Sequence, residues 1–295
     1  MTMKKTNHLN NKQNKMKHAI TIVAVIFFTH SIMAQKADII LSVQKMNLKG
    51  KIWRIDEKKY GVVYENHQPQ KGELKILQTY ICDSDGNLIS ENYMNAEYHS
   101  FQEKEFQYSK PGLLTRLVYY NNDHQITGRI VKEYDSKDFI TSWIEYDSAS
   151  KIIRDEKYTY EFISNNKYNV TTHYSKSQSV KTITLNNNNK ILSEVWADGG
   201  ILSRNYTYND KGQEILIVMK DSNGNFDHEF AFEYDEAGNI IQKKYKNNIN
   251  YTSTETNTYI YDQNNNWTNK IGDGKSITER EIKYFQARGT RERRN

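Results

Sequence analysis

Apolar and polar residues alternate along most of the chain, and short turn sequences interrupt this alternation at nearly constant intervals. In residues 230–234 (FAFEY) three aromatic rings occupy every second position, so on a β-strand they share one face. Asp235 follows, and Gly238 stands three residues later. A capping carboxylate and a residue that tolerates positive φ are what a tight hairpin requires. This unit therefore predicts a strand followed by a hairpin turn.

The unit recurs along the chain. Clear copies lie at residues 80–89 and 206–216, and looser ones fill most of the sequence between and after them. We call the second aromatic position of each unit the anchor. From Tyr108 to Tyr245 the anchors are 11 to 14 residues apart, and the last interval is 16, which leaves room for one strand of about eight residues and one turn of about four. The anchors are Tyr108, Tyr120, Tyr134, Tyr146, Tyr160, Tyr174, Leu185, Trp196, Tyr208, Lys220, Tyr234, Tyr245 and Tyr261.

The spacing predicts an all-β fold with about 15 antiparallel strands, built as tandem hairpin repeats. Only two prolines occur in the chain, as a long β-ladder requires. No linker or shift in composition divides residues 35–287, so we expect one domain there. Residues 46–63 are predicted to form its first hairpin, with lysines on an edge strand. Sheets of more than ~10 strands usually curl, split or close. The sequence leaves open a curled shell, a wide barrel and a sandwich.

The pattern Tyr-x-Tyr-Asp-x-x-Gly-x-Ile/Leu resembles the RHS/YD repeat, and copies cover residues 60–287. The arginine that usually follows the glycine in that family is replaced here by Asn87, Leu113, Gln213 and Asn239. Other residues take the place of the glycine in several copies, namely Asp138, Ser150 and Asn189. The chain therefore resembles a diverged branch. The resemblance implies an exported or surface protein with a β-sheet shell, for which carbohydrate contact and toxin encapsulation are proposed roles. Only ten residues follow Phe285, so we expect no toxin domain.

The N-terminal segment predicts export. Lysines precede the apolar run 19–28, and a short polar stretch ends at Ala34, which gives a signal peptide at residues 1–34. Met16 is an alternative start. The apolar run is ten residues long and a bilayer span needs ~20, which disfavours an uncleaved anchor. We expect an extracytoplasmic protein in the periplasm, on the outer surface or secreted, and one that does not span the membrane after cleavage.

The export signal also explains the basic character of the chain. The full sequence has 41 Lys+Arg and 36 Asp+Glu, and residues 1–35 hold five lysines and no acid. The remainder is therefore balanced at 36 against 36. A basic tail at residues 288–295, predicted to be disordered, leaves the body slightly acidic. Nucleic-acid binding needs a basic face, so we expect no nucleic-acid partner.

Candidate catalytic and metal sites are weak. Five histidines follow the signal peptide, and none forms a metal-ligand pair at helical spacing. Residues 83–87 and 221–225 resemble calcium loops, but their glycine is at position four and an EF-hand needs it at six. Turn chemistry explains them better. Cys82, the only cysteine, occupies an anchor position and predicts a packed hydrophobe. We expect no metal, no cofactor and no catalytic residue, hence no enzyme, unless residues of different strands converge.

Trp143 is the candidate ligand-binding residue. It lies three positions before the anchor Tyr146, so it points to the opposite face of the strand. If the anchors are buried, Trp143 would be an exposed platform for a sugar ring, although burial in a second layer is an alternative. Together these features predict an exported, non-enzymatic binding or scaffold protein of the cell envelope, with carbohydrate as a candidate ligand. The alternative is a structural or secretion-associated shell component that acts through a protein partner, which a free sheet edge would favour.

Overall fold

The computed structural model describes residues 46–197 and 201–285, with the backbone alone described at 201 and 202. These residues belong to one unit, Ser31–Asn295. The predicted signal peptide (1–34) and basic tail (288–295) lie outside the described residues. Within them the chain forms β-strands and turns without a helix, so none is present that could cross a membrane.

Eighteen antiparallel strands make up the described chain, where the repeat spacing predicts about 15. They are β1 (Ile52–Glu65), β2 (Gln68–Cys82), β3 (Leu88–Asn95), β4 (Ser100–Lys110), β5 (Leu113–Tyr120), β6 (Ile126–Tyr134), β7 (Ile140–Asp147), β8 (Ile152–Ser164), β9 (Lys167–His173), β10 (Gln178–Leu185), β11 (Ile191–Trp196), β12 (Ile201–Tyr208), β13 (Glu214–Asp221), β14 (Phe226–Tyr234), β15 (Ile240–Asn247), β16 (Thr252–Tyr261), β17 (Trp267–Gly272) and β18 (Ser276–Tyr284).

The strands form one closed meander. Each pairs with the strand before and after it, and β1 also pairs with β18, from Ile52 opposite Tyr284 to Gly61 opposite Ser276. The all-β prediction is confirmed, and of its open alternatives the wide barrel is the one observed. The predicted first hairpin at residues 46–63 is wrong, because β1 is a single long strand. Its lysines do not protect an edge, since both sides of β1 are paired.

Within the described residues, ten hairpins have the same type of turn. In the first of them the Gly86 N–H donates to the Asp83 carbonyl at 3.1 Å, and the Asp83 carboxylate accepts from the amides of Asp85 and Asn87, both at 2.9 Å. Gly86 has a φ of 82°. The predicted turn chemistry is confirmed, and it extends to copies without glycine. Positive φ at the same position is found at Asp138 (69°), Ser150 (62°) and Asn189 (58°).

A bulge follows most of these turns and changes which residues share a face. Cys82 is opposite Leu88, but Tyr80 is opposite Glu91, so one extra residue is accommodated in β3. Residues three apart at the start of such a strand therefore lie on the same side. Ile140 and Trp143 of β7 are related in the same way.

The two faces of the sheet differ in burial. One face carries Leu88, Leu114 and Ile191, which are at most 1% exposed. The opposite face carries exposed charged side chains such as Glu133, Asp155 and Lys244, so the face with the buried aliphatic residues is the inner wall. The outer wall is polar, and its charged residues include Glu103, Glu105, Glu133, Asp155, Lys157, Glu229, Glu233, Lys244, Glu281 and Lys283.

The two ends of the barrel also differ, and we name them by their residues. The tyrosine end holds the turns that follow the even-numbered strands, where inward anchor tyrosines precede the turn. The histidine end holds the turns that follow the odd-numbered strands. All five histidines of the described residues lie at or next to this second set of turns, namely His67, His99, His124, His173 and His228.

Candidate functional site on the inner wall

Tyrosine side chains seal the inner wall at the tyrosine end. Tyr134 donates its hydroxyl hydrogen to the Leu114 carbonyl of the neighbouring strand at 2.7 Å. Each hydroxyl of this kind satisfies a carbonyl next to a bulge at the start of the neighbouring strand. The equivalent bonds are Tyr108 to Leu88, Tyr160 to Ile140, Tyr208 to Ile191 and Tyr234 to Glu214.

The segment that precedes β1 adds a second layer at this end. Asn47 donates to the Ala237 carbonyl at 2.8 Å, and the Lys49 amide donates to the Asn266 side chain at 2.7 Å. Leu48, which lies between them, is 6% exposed and packs in the hydrophobic core. The segment thus ties two hairpin turns to the start of the barrel.

The anchors are divided between the two walls, which corrects the expectation that they share one buried face. Tyr134 lies on the inner wall, whereas Tyr146 lies on the outer wall opposite Arg129, whose guanidinium covers its ring at 4.2 Å. Trp143 does point away from Tyr146, as the alternation predicts. It therefore lies on the inner wall and is not an exposed platform on the outside.

Trp143 is held between two cations. Lys132 lies 4.0 Å and Arg154 4.8 Å from the ring centroid, on the strands to either side. The Arg154 Nε donates to Glu156 at 2.7 Å, and the Tyr158 hydroxyl donates to the other oxygen of the same carboxylate. Trp143 Nε1 is buried without a hydrogen-bond acceptor among the described residues. The ring is therefore part of an ion-pair cluster that fixes this section of wall.

The same arrangement recurs around Trp196. Lys181 and Arg204 each lie 5.5 Å from its ring centroid. Glu194, 3% exposed, accepts from Lys181 at 2.7 Å and from the Tyr206 hydroxyl at 2.6 Å. The cations and the hydroxyl together compensate the buried carboxylate, so removal of a cationic partner should destabilise the fold.

A third cluster closes the ring of strands between β17 and β1. The Arg280 guanidinium stacks on Trp267 at 3.4 Å, and its Nε donates to Glu57 at 2.8 Å. None of the three clusters is predicted from the sequence. The sequence feature that marks such a cluster is a pair of opposite charges two residues apart, as at Arg154 and Glu156. This spacing is also typical of a solvated strand face, so it does not identify a buried cluster by itself.

The inner wall becomes accessible toward the histidine end. The side chains exposed there include Lys59, Gln102, Arg154 and Glu255. At the opposite end Leu88 and Leu114 are fully buried. Tyr93, Tyr119 and Tyr245 lie half-buried between these limits. The barrel thus presents aromatic and hydrogen-bonding groups inside one end and a sealed core at the other.

Burial shifts the titration of several inner groups. It raises the pKa of Glu214 to about 7, where Arg204 opposes the shift and Glu194 adds to it. Burial and the nearby Asp83 raise the pKa of the Cys82 thiol to about 11. Cys82 is 3% exposed and lies in the hydrophobic core, so the prediction that it is a packed hydrophobe is confirmed.

The remaining sequence candidates are placed as follows. The Asp83 and Asp221 carboxylates accept backbone amides within their own turns, as turn chemistry requires. Among the described residues no three His, Cys, Asp or Glu side chains form a group that could hold a metal ion. Glu103 accepts a hydrogen bond from His124 on the outer wall at 3.0 Å, if that ring nitrogen carries the proton.

Comparison with known proteins gives weak likenesses. No protein-family model and no curated protein matches the chain. One similar solved structure is a porin-like protein from Bacteroides uniformis, with 10% identity over 79% of this chain and 98% of that one, and a TM-score of 0.31. Another is described as an outer membrane lipoprotein-sorting protein domain from Vibrio parahaemolyticus, with 8% identity over 83% and 91% and a TM-score of 0.25. Likenesses at these scores carry no argument about fold or function.

Proposed function

We propose that this chain is an exported, non-enzymatic binding protein of the cell envelope that takes a carbohydrate into the histidine end of its barrel. The observation that carries the proposal is the inner wall itself. It is sealed at the tyrosine end, and it offers half-buried aromatic rings beside exposed polar groups toward the other end. Aromatic faces with a few oriented polar groups are the usual lining of a concave ligand site.

The lining near the histidine end suits a sugar chain. Tyr93 of β3 lies directly opposite Gln102 of β4. Tyr119 of β5 lies opposite Lys104 of β4. Tyrosine combines a flat apolar face with a hydroxyl, so it can pack on a sugar ring and bond its hydroxyls. Trp143 is the deeper member of the proposed site, with its ring already flanked by cations.

The charged residues of the outer wall support the proposal that this barrel does not span a membrane. A barrel in a bilayer presents an apolar band to lipid. Here charged residues lie in the middle of outer strand faces, and several are paired across strands, as Lys244 is with Glu233 at 2.9 Å. Charges at these positions favour contact with water. The export signal predicted from residues 1–34 supports placement in the envelope.

The alternative function is a shell component that acts through a protein partner. Closure of the barrel disfavours the form of this alternative in which the partner adds a strand to the sheet. A shell component that pairs with another chain through its sheet needs a free edge. β1 and β18 pair with each other, so every described strand has two neighbours. Exposed hairpin tips keep a protein partner as the second candidate, since Tyr98 is 72% and Ile249 78% exposed at the histidine end.

The test is binding of the purified protein to an array of glycans and cell-wall fragments. Tyr119→Ala and Tyr120→Ala form a matched pair, because the two residues are adjacent in sequence and point to opposite walls. We expect saturable binding that Tyr119→Ala and Trp143→Ala weaken and Tyr120→Ala leaves unchanged. Absence of binding to any glycan would overturn the carbohydrate proposal and favour a protein partner at the hairpin tips.

A further inference from the structure

Charges on the inner wall are matched in most of the barrel. The three most deeply buried glutamates there each lie within ion-pair distance of a cation on a neighbouring position. The pairs are Lys104 with Glu91 (3.1 Å), Arg154 with Glu156 (2.7 Å) and Lys181 with Glu194 (2.7 Å). In these parts of the wall the protein compensates its own charges.

The part of the wall formed by β17, β18 and β1 is different. It carries Lys270, Arg280 and Lys59 on adjacent strands, and Glu57 is already bonded to Arg280. Neither Lys59 nor Lys270 forms an ion pair or hydrogen bond with any described residue. Arg280, 9% exposed, retains a buried Nη1 without an acceptor. Cationic groups here exceed the carboxylates that could neutralise them.

The register places the two lysines around one hydroxyl. Lys270 of β17 and Lys59 of β1 both lie directly opposite Thr278 of the intervening β18. Strands are spaced by ~4.8 Å, so the two lysine backbones lie about 10 Å apart on the same face. Two lysine side chains can converge across that distance on a group above the Thr278 hydroxyl. Lys59 is exposed, so the place is reached from the histidine end.

The electrostatics of this part of the wall favour the binding of an anion. Burial lowers the pKa of Lys270, and the charges of Lys59 and Arg280 lower it further. Glu57 and the exposed Glu255 oppose this effect without cancelling it. The protonated lysine is therefore held in a destabilising position that a bound anion would relieve.

We propose that Lys59, Lys270 and Thr278 bind an oxyanion, a sulfate, phosphate or carboxylate group that is free or carried by the ligand. The two ammonium groups and the hydroxyl donate hydrogen bonds to its oxygens, and Arg280 supplies a further positive charge nearby. This inference rests on the proposed access of a ligand to the barrel interior. It narrows that ligand to an acidic or anionically substituted saccharide.

The test uses Lys59→Gln/Lys270→Gln and a charge-matched control, Lys58→Gln/Lys220→Gln, in which both lysines are exposed on the outer wall. Thermal unfolding is followed with sodium sulfate, with inorganic phosphate, and with sodium chloride at equal ionic strength. Without sulfate we expect the inner-wall variant to melt higher than the wild type by roughly 2–4 °C, because like charges are removed. Sulfate stabilises folded proteins in general, so all three proteins should melt somewhat higher in sulfate than in chloride. We expect the wild type and the control to gain more than the inner-wall variant, and the excess measures the specific site.

Titration with a uronate oligosaccharide and a neutral oligosaccharide of equal length identifies the source of the anion. If the uronate binds at least about tenfold more weakly to the inner-wall variant, the anion is part of a saccharide. If sulfate binds and neither sugar does, the oxyanion site stands and the carbohydrate proposal fails. If both sugars bind the wild type and the inner-wall variant equally, the binding function stands and the oxyanion site is overturned. An equal sulfate response of both double variants overturns it as well.

Discussion

The tyrosine end and the histidine end are made from the same sequence unit and differ in almost every other respect. The turns that begin at Asp135 and Asp147 have the same backbone hydrogen bonds, one at each end. Yet Tyr134 before the first turn points inward and bonds the Leu114 carbonyl, while Tyr146 before the second points outward. The wall on which the anchor lies therefore differs between these two turns. One repeated unit thus produces both a sealed end and an accessible end.

Truncation of a single side chain should give the largest difference in stability loss between the two ends. Leu114→Ala removes a fully buried side chain at the tyrosine end and should cost about 2–5 kcal/mol of unfolding free energy. Gln102→Ala changes an exposed inner-wall residue near the histidine end and should stay within about 0.5 kcal/mol. Urea unfolding followed by circular dichroism measures both. Equal losses would mean that burial does not differ between the ends.

Stability should fall with rising pH because of Glu214, which lies at the tyrosine end. Its folded pKa is raised from 4.5 to about 7. The neutral form is thus favoured in the folded state, so this contribution is complete below the unfolded pKa and is lost as pH rises through about 7. At 1.36 kcal/mol per pKa unit the loss is about 3 kcal/mol.

The measurement for Glu214 is the urea midpoint of the wild type and Glu214→Gln between pH 4 and 8. The difference between the two proteins isolates this group from the other carboxylates. We expect the wild type to lose stability relative to the variant across this window. A constant difference would show that Glu214 titrates normally.

Removal of single tyrosine hydroxyls should give a smaller difference in stability loss between the two ends. Tyr134→Phe leaves the Leu114 carbonyl without its donor and should cost about 1–2 kcal/mol. Tyr146→Phe keeps the ring that Arg129 covers on the outer wall, so its effect should be close to zero. Chemical denaturation of both variants tests this. A loss of the same size in Tyr146→Phe would contradict the different roles of the two anchors.

Substitution of one turn glycine at each end should give the smallest difference in stability loss. Gly238 at the tyrosine end and Gly224 at the histidine end both have positive φ, so alanine should cost about 1 kcal/mol at each. A Cβ at Gly238 would also lie 3.1 Å from Gln213 and 3.2 Å from Asn47, whereas Gly224 has nothing within 4 Å. We expect Gly238→Ala to be the more destabilising in thermal melts. The reverse order would indicate that the segment preceding β1 does not pack on this turn.

Much of the fold is predictable from sequence because it is local. Alternation of aromatic residues predicts strands, and the Asp-x-x-Gly unit predicts turns whose hydrogen bonds the structure confirms at Asp83 and Asp235. Even the copies with Ser150 or Asn189 in place of glycine adopt the expected positive φ. These features depend on neighbouring residues alone, so a single sequence is enough to predict them.

Features that depend on distant residues were not predictable. The pairing of β1 with β18 joins residues more than 200 positions apart, and alternation does not encode it. The bulges interrupt the strict alternation of side chains between the two faces, because each bulge moves the following residues to the other face. This is why Trp143 and the cations around it share the inner wall with Ile140. The resemblance to the RHS/YD repeat, the export signal and the ligand stay predictions.

The most direct test of the account compares two thiols in one molecule. Cys82 lies buried at the tyrosine end, and a Gln102→Cys variant places a second thiol on the inner wall near the histidine end. The folded variant is treated with a maleimide, and mass spectrometry locates the label on each cysteine. We predict rapid labelling at position 102, and labelling of Cys82 only after unfolding in urea. Labelling of Cys82 in the folded protein, or equal protection of both thiols, would contradict a barrel that is sealed at one end and accessible at the other.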